Sequence, residues 1–194
     1  MVLHRSGAAK VIAIGASLGG VAAIEHVLSG FMASVPPVVL VLHMQAGMAK
    51  LLADQLDVRL PLSVKQAASG DILKKGQVLI APYGMHMKVI KHLGQVAVEC
   101  FNGPKVQHAL PSADVLFESV AEVFGADSVG VILTGVGADG ARGLLKMREL
   151  GAATIGQDED TCVVYGMSKA AKEMGAVAHE LPIHKISSKI LSFV

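Results

Sequence analysis

Tryptophan is absent from this sequence, aromatic residues make up only 4% of it, and charged side chains only 17%. So few rings leave no aromatic ladder for stacking bases. Seventeen basic against sixteen acidic residues, a formal charge of +1, leave no basic run to hold a polyanion, so nucleic acid is not an expected partner. Only two cysteines occur, Cys100 and Cys162, without metal-ligand spacing. They are expected to stay as core thiols in a reducing compartment, which points to the cytoplasm. No segment reaches the roughly 20 apolar residues that span a bilayer, so no membrane insertion is expected. The basic start (His4, Arg5, Lys10) before an apolar stretch imitates a signal peptide, but glycine-rich breaks interrupt that stretch and Glu25 closes it. Internal repeats and low-complexity tracts are missing too.

What the sequence does hold is apolar residue, 52% of 194 positions, enough for one sizeable core with most elements covered on both faces. The expectation is a single domain over residues 1–194. Its centre is the stretch Val11-Ile12-Ala13-Ile14-Gly15-Ala16-Ser17-Leu18-Gly19-Gly20, a buried strand running into a small-residue turn. Val21, Ile24 and Leu28 then recur at helical spacing. Ser17 therefore stands near a helix N-terminus, where free N–H groups and the dipole stabilise an anion. Three readings of it stay open: an ordinary N-cap, a phosphate or dinucleotide site, and a nucleophile. The dinucleotide fingerprint would need glycine at position 17 and an acidic residue at the end of the second strand. That strand ends instead in His43, and a nucleophilic serine needs such a base.

Along the chain, Val35-Pro36-Pro37 marks a turn before the apolar run Val38–Leu42, and Gly47 opens a helix through Leu51, Leu52 and Leu56. A short strand follows at Leu62-Ser63-Val64-Lys65. This alternation predicts a parallel sheet whose carboxyl ends, carrying Ser17 and His43, line one edge. Val78–Pro82 reads as another strand. Met85, Met87 and Val89 then alternate with His86 and Lys88, and Gln95–Cys100 alternates likewise across the turn Lys91-His92-Leu93-Gly94. These predict an antiparallel hairpin added to the sheet, with His86 on its polar, solvated side, a weaker competitor to His43 as a base. Pro111-Ser112-Ala113-Asp114 opens a helix, with Asp114 explained by helix-end electrostatics. A third buried strand, Val129–Leu133, runs into Thr134-Gly135-Val136-Gly137-Ala138-Asp139-Gly140-Ala141 and a helix through Leu144, Leu145 and Met147. Asp139 falls on the same edge as Ser17 and His43, although a plain helix-terminal aspartate competes with an orienting role. Further on come Ala153-Thr154-Ile155, the solvated turn Gln157-Asp158-Glu159-Asp160, a helix from Ser168, the apolar triplet Ala176-Val177-Ala178, and an amphipathic C-terminal helix with Ile186, Ile190 and Leu191. The predicted fold is α/β: a doubly wound, mostly parallel, Rossmann-like three-layer sandwich with an antiparallel hairpin.

Taken in order, Ile14-Gly15-Ala16-Ser17 with Gly19-Gly20, His43-Met44, Ile80-Ala81-Pro82 with His86-Met87, Pro111-Ser112 with Asp114–Phe117, Leu133-Thr134-Gly135 through Asp139-Gly140-Ala141, and Cys162-Val163-Val164 through Gly166-Met167 resemble one family. It is the catalytic domain of the CheB-type chemotaxis protein-glutamate methylesterases. The resemblance covers nearly the whole chain.

It implies Ser17 as nucleophile, His43 as base, Asp139 as the residue that orients it, and the backbone N–H groups of Leu18 and Val136 as oxyanion hole. No cofactor or metal is implied. The substrate would be glutamate methyl esters on the cytoplasmic helices of chemoreceptors, with glutamine deamidation as a related activity. The family generally carries a regulatory receiver domain, but about ten residues precede the first strand here, so none is expected in this chain. Leu18 and Val136 stand where the family usually has threonine and methionine, and His108-Ala109-Leu110 where it commonly has Arg-His-Arg. A second reading is thus an interaction module with altered receptor docking; a phosphate- or nucleotide-binding domain is a third.

Overall fold

The computed structural model of the chain describes residues 8–194, so His4 and Arg5 lie outside the described residues. Among these residues no helix is long and apolar enough to cross a membrane. The strands are β1 (Val11–Ala16), β2 (Val38–Leu42), β3 (Ser63–Gln66), β4 (Gln77–Ile80), β5 (His86–His92), β6 (Gln95–Phe101), β7 (Ser128–Ile132), β8 (Ala153–Gln157) and β9 (His179–Leu181). The helices are α1 (Gly20–Ser29), α2 (Met48–Arg59), α3 (Ala113–Phe124), α4 (Ala141–Glu149), α5 (Met167–Glu173) and α6 (Ile183–Leu191). Seven strands form one sheet in the order β3-β4-β2-β1-β7-β8-β9, every neighbour parallel.

Alternation along each central strand divides the core in two. Ile12, Ile14 and Ala16 of β1 and Leu40 and Leu42 of β2 point into one cluster, with Ile24 and Leu28 of α1, Leu52 and Leu56 of α2, and Ile186 and Ile190 of α6. Val11, Ala13, Val39 and Val41 point the other way, against Leu116, Phe117 and Val120 of α3, Leu144 of α4 and Ala171 of α5. Burial on both faces is why these strands read as unbroken apolar runs. The result is the three-layer, doubly wound sandwich expected from the sequence.

The hairpin departs from expectation. β5 and β6 pair antiparallel, but as a separate two-stranded sheet rather than an extension of the main one. Its inner residues Met87, Val89 and Val98 bury against α3 and against Val39, Val41, Leu79 and Ala81 of the main sheet, and Val89 N–H donates to Ser119 Oγ at 2.9 Å. Among the described residues no further helix covers that half of the sheet. The hairpin is the lid that completes the second layer.

Close approach of α3 to its neighbours places the site. A Cβ on Gly15 would meet Ala113 Cβ at 3.0 Å, and one on Gly143 in α4 would meet the Asp114 carbonyl oxygen at 2.7 Å and Phe117 Cβ at 2.7 Å. Helix propensity alone favours alanine over glycine by about 1 kcal/mol. At Gly143 the backbone contact reverses that preference. Gly143→Ala is expected to destabilise by about 1–2 kcal/mol and lower the Tm by several degrees, measured by calorimetry; a raised Tm would refute the close packing of α3 on α4.

Candidate active site

Register brings Ser17 and His43 together. Ala16 and Leu42 are paired neighbours on β1 and β2, and the His43 N–H donates to the Ala16 carbonyl at 3.1 Å. The next residue on each strand is thus Ser17 and His43, side by side at the roughly 4.8 Å spacing of adjacent strands. Both line a cleft of about 470 Å³ together with Leu18, Gly19, Gly20 and Val21. Ser17 is not a helix cap. The N-cap of α1 is Gly19, whose φ of 79° suits glycine, and it makes no side-chain cap bond. Among the described residues Ser17 Oγ makes no hydrogen bond, to His43 or to any other group.

The His43–Asp139 half of the arrangement is formed. Asp139 lies on the loop between β7 and α4, 96 residues from His43, and its Oδ2 accepts from His43 Nε2 at 2.8 Å. With Nε2 carrying the proton, Nδ1 is left as the free acceptor on the ring, the reverse of the ring usage in chymotrypsin-type triads. Asp139 is the most buried of the three, 2% exposed. Its carboxylate also accepts from Ser112 Oγ at 2.6 Å and from the backbone N–H groups of Ala113 at 2.7 Å and Asp114 at 3.1 Å. It therefore sits on the N-terminus of α3, where orphan donors and the positive dipole end meet an anion. Burial alone would raise its pKa, but the bonds from His43, Ser112, Ala113 and Asp114 outweigh it and hold the carboxyl below the ordinary 3.8.

The loops around Ser17 are packed backbone to backbone. Ser17 N–H donates to the Thr134 carbonyl at 3.0 Å, and Thr134 Oγ1 donates to the Leu18 carbonyl at 2.9 Å while accepting from Val164 N–H at 3.0 Å. A Cβ on Gly135 would meet Ser17 Cβ at 2.6 Å, and one on Gly166 would meet the Gly135 carbonyl oxygen at 2.5 Å. This tie leaves the N–H groups of Leu18 and Val136 without an acceptor among the described residues. Both are thus available to an oxyanion beside Ser17.

Several readings of the sequence need correction. His86 is 2% exposed, not solvated, and both ring nitrogens are engaged. Asp114 is buried and accepts from Gly143 N–H at 2.8 Å and from Arg142 Nε at 3.4 Å, tying α3 to α4 rather than merely decorating a helix end. Burial raises its pKa, as does the neighbouring Asp139 charge. Gln157 is buried, not part of a solvated turn, because its Oε1 accepts from Thr134 N–H at 2.9 Å. Cys100 and Cys162 are free and half-buried rather than core, and burial pushes the Cys100 thiol up to about 11, so neither is primed to be a thiolate. Among the described residues no group of three His, Cys, Asp or Glu could hold a metal ion. A larger cavity, about 920 Å³, opens at the opposite, amino-terminal edge of the sheet near Val35, Phe124 and Leu191, far from Ser17.

Asp139 gives the fold an acid dependence. Its folded pKa lies below the unfolded value of about 3.9, so the unfolded chain takes up the proton first as pH falls. Its stabilisation is complete above about pH 5 and is lost as pH drops through the depressed value. In urea titrations Asp139→Asn is expected to be less stable than wild type by a margin that is constant above pH 5 and narrows below pH 4. A margin unchanged from pH 6 to pH 3 would contradict the assigned ionisation.

Comparison with known proteins agrees with this architecture. The family model for CheB methylesterase matches residues 12–190. A protein-glutamate methylesterase/protein-glutamine glutaminase 2 of Syntrophomonas wolfei is 48% identical over 184 residues, covering 95% of this chain and 54% of that protein. A protein-glutamate methylesterase/protein-glutamine glutaminase of Syntrophotalea carbinolica is 50% identical over 172 residues, covering 89% and 48%. The chain thus spans about half the length of the curated relatives it matches. Among solved structures, the Thermotoga maritima CheB methylesterase catalytic domain superposes with a TM-score of 0.93 at 34% identity, covering 96% of this chain and 99% of that one. The chain belongs to the CheB methylesterase family.

Proposed function

We propose that this chain is a serine esterase that hydrolyses glutamate methyl esters on the cytoplasmic helices of chemoreceptors, with glutamine deamidation as its second activity. The observation that carries the reading is the buried Asp139 carboxylate bonded to His43 Nε2, with the same histidine lining a cleft beside Ser17. In this reading Ser17 Oγ attacks the ester carbonyl as its proton passes to His43 Nδ1. Negative charge develops on the carbonyl oxygen, where the Leu18 and Val136 N–H groups are preorganised to receive it. Asp139 stays ionised and stabilises the imidazolium. Collapse of the intermediate expels methanol with the proton from Nδ1. Water, deprotonated by the same nitrogen, then attacks the acyl-serine; the acyl–Oγ bond breaks, glutamate is released, and the proton passes from Nδ1 back to Ser17 Oγ. The open Ser17–His43 spacing is compatible with this sequence, because catalytic hydrogen bonds often tighten only with substrate present.

The family membership and the names of the relatives support the substrate class. So does the rim of the cleft. Leu18, Val136 and Val163 on the loops around Ser17, and Val21 in the first turn of α1, are all exposed, a surface suited to the aliphatic face of a helix carrying the ester. A receiver domain, on a longer chain or a separate protein, is the regulator this reading implies, and the cytoplasm is where both partners would meet it.

Ser17→Ala is expected to lower methanol release from a methylated receptor fragment by at least about 10³-fold, since loss of a triad nucleophile leaves only what the oxyanion hole and binding supply. Undiminished release would exclude Ser17 as nucleophile.

A further inference from the structure

His86 is buried, the reaction sequence does not use it, and its surroundings are specific. Its ring stands at the start of β5, tilted against the Phe101 ring of β6 with centroids 5.5 Å apart. Nε2 lies 2.9 Å from the Pro104 carbonyl oxygen and Nδ1 lies 3.2 Å from the Ser112 backbone nitrogen. A carbonyl can only accept and a backbone N–H can only donate, so these partners admit one arrangement of the ring: Nε2–H donating, Nδ1 accepting. The two partners are the ends of one loop. Between them Val106 and Ala109 exchange backbone hydrogen bonds at 3.0 and 2.8 Å, and Gln107 and His108 at the tip both have positive φ, 49° and 64°. That is a tight two-residue reversal with no apolar core of its own. The loop nevertheless forms a wall of the cleft of about 460 Å³ that His43 and Asp139 line, through Lys105, Gln107, His108 and Leu110. A Cβ on Gly103 would meet His86 Cδ2 at 3.2 Å, so the base of the loop is seated on the ring as well.

We propose that His86 is a positioning residue for the triad, acting through Ser112. By clamping both ends of residues 104–112 it fixes the Ser112 backbone, and Ser112 Oγ together with the following two N–H groups holds Asp139 against His43. The path His86, Ser112, Asp139, His43 is continuous, and three of its four members are nearly or fully buried. Its direction is set by donors and acceptors: Ser112 gives its N–H to His86 and its hydroxyl proton to Asp139. Losing the His86 acceptor leaves a buried N–H unsatisfied at the point where α3 begins, which favours rearrangement of that turn. Displacement of a catalytic group by about 1 Å costs on the order of 10² in rate. The role concerns orientation of His43, so the expected loss falls on kcat rather than KM.

The proposal rests on the esterase reading, and the test separates the two. Active sites are first titrated with a fluorophosphonate that labels Ser17; an unlabelled, inactive wild type would be a failure of the esterase reading itself. Per titrated site, His86→Phe, which fills the volume without an acceptor, is expected to lower kcat for methanol release by about 10–100-fold with KM within about 2-fold. His86→Asn puts an amide oxygen near the position of Nδ1 and is expected to recover kcat to within about 5-fold of wild type. His86→Gln, which reaches toward Pro104 instead, is expected to stay low. If the phenylalanine variant fails to fold, the asparagine and glutamine pair decides on the same criterion. Unchanged kcat in His86→Phe, or asparagine and glutamine variants of equal kcat, would overturn the proposal.

Discussion

The constraint on which the rest depends is a charge taken out of water. Asp139 is ionised and nearly inaccessible, and removing a carboxylate from solvent costs several kcal/mol unless donors replace the hydration shell. The fold supplies four: one imidazole, one hydroxyl and two backbone N–H groups at the head of α3. To provide them α3 must start beside the end of β1 and against the β7–α4 loop. That requirement fits Gly15 under Ala113 and Gly140 close to Phe117, where an added Cβ would come within 3.0 and 3.2 Å of those side chains. Asp114, one residue further on, pins the same helix head to the Gly143 amide of α4. A single anion thus dictates the spacing of a strand, two helices and a loop.

A second consequence follows for the neighbouring loops. The turns at Ser17, at Thr134–Gly137 and at Val164–Met167 interlock through backbone atoms, with Gly135 accepting from both Gly166 and Met167. Such contact needs glycine because a side chain would stand where the next backbone runs. Backbone packing of this kind uses the N–H groups of Ser17, Gly135, Gly166 and Met167, and leaves those of Leu18 and Val136, among others, without an acceptor among the described residues. In the proposed reaction these two amides meet the developing oxyanion at no reorganisation cost. Their side chains point outward, which is why leucine and valine are acceptable at both positions and supply apolar rim instead.

The sheet was readable because it depends on patterns within a few residues. Ser17 and His43 directly follow the buried strands β1 and β2, whereas Asp139 lies further along, on the loop between β7 and α4. What supports them was not readable. The donors to Asp139 come from 25 to 27 residues away, and only the packing of α3 brings them there. Ser112 was recognisable as a helix start, but its hydroxyl serves two partners, accepting from Val115 and donating to Asp139, and the second leaves no local trace. His86 was misread for a definite reason. Alternation along β5 assigned it to the polar face of a sheet extension, whereas the hairpin is a separate sheet whose other side near His86 is covered by residues 103–112. Gln157 was lost the same way, in a stretch whose acidic neighbours suggested solvent.

The site is unevenly prepared, and the unevenness has a physical sense. Asp139 is held by four hydrogen bonds, while Ser17 Oγ makes none among the described residues. Electrostatic groups act through fixed orientation, so freezing them ahead of reaction lowers the barrier without a penalty at the moment of bond formation. A nucleophile in the proposed mechanism has the opposite need, since its oxygen must leave one partner and approach a carbonyl. Had Ser17 Oγ been locked in a cap bond to α1, that bond would have to break first. Gly19 as N-cap removes the competitor by taking over the start of the helix with backbone alone, and so leaves the serine hydroxyl uncommitted in the cleft it shares with His43.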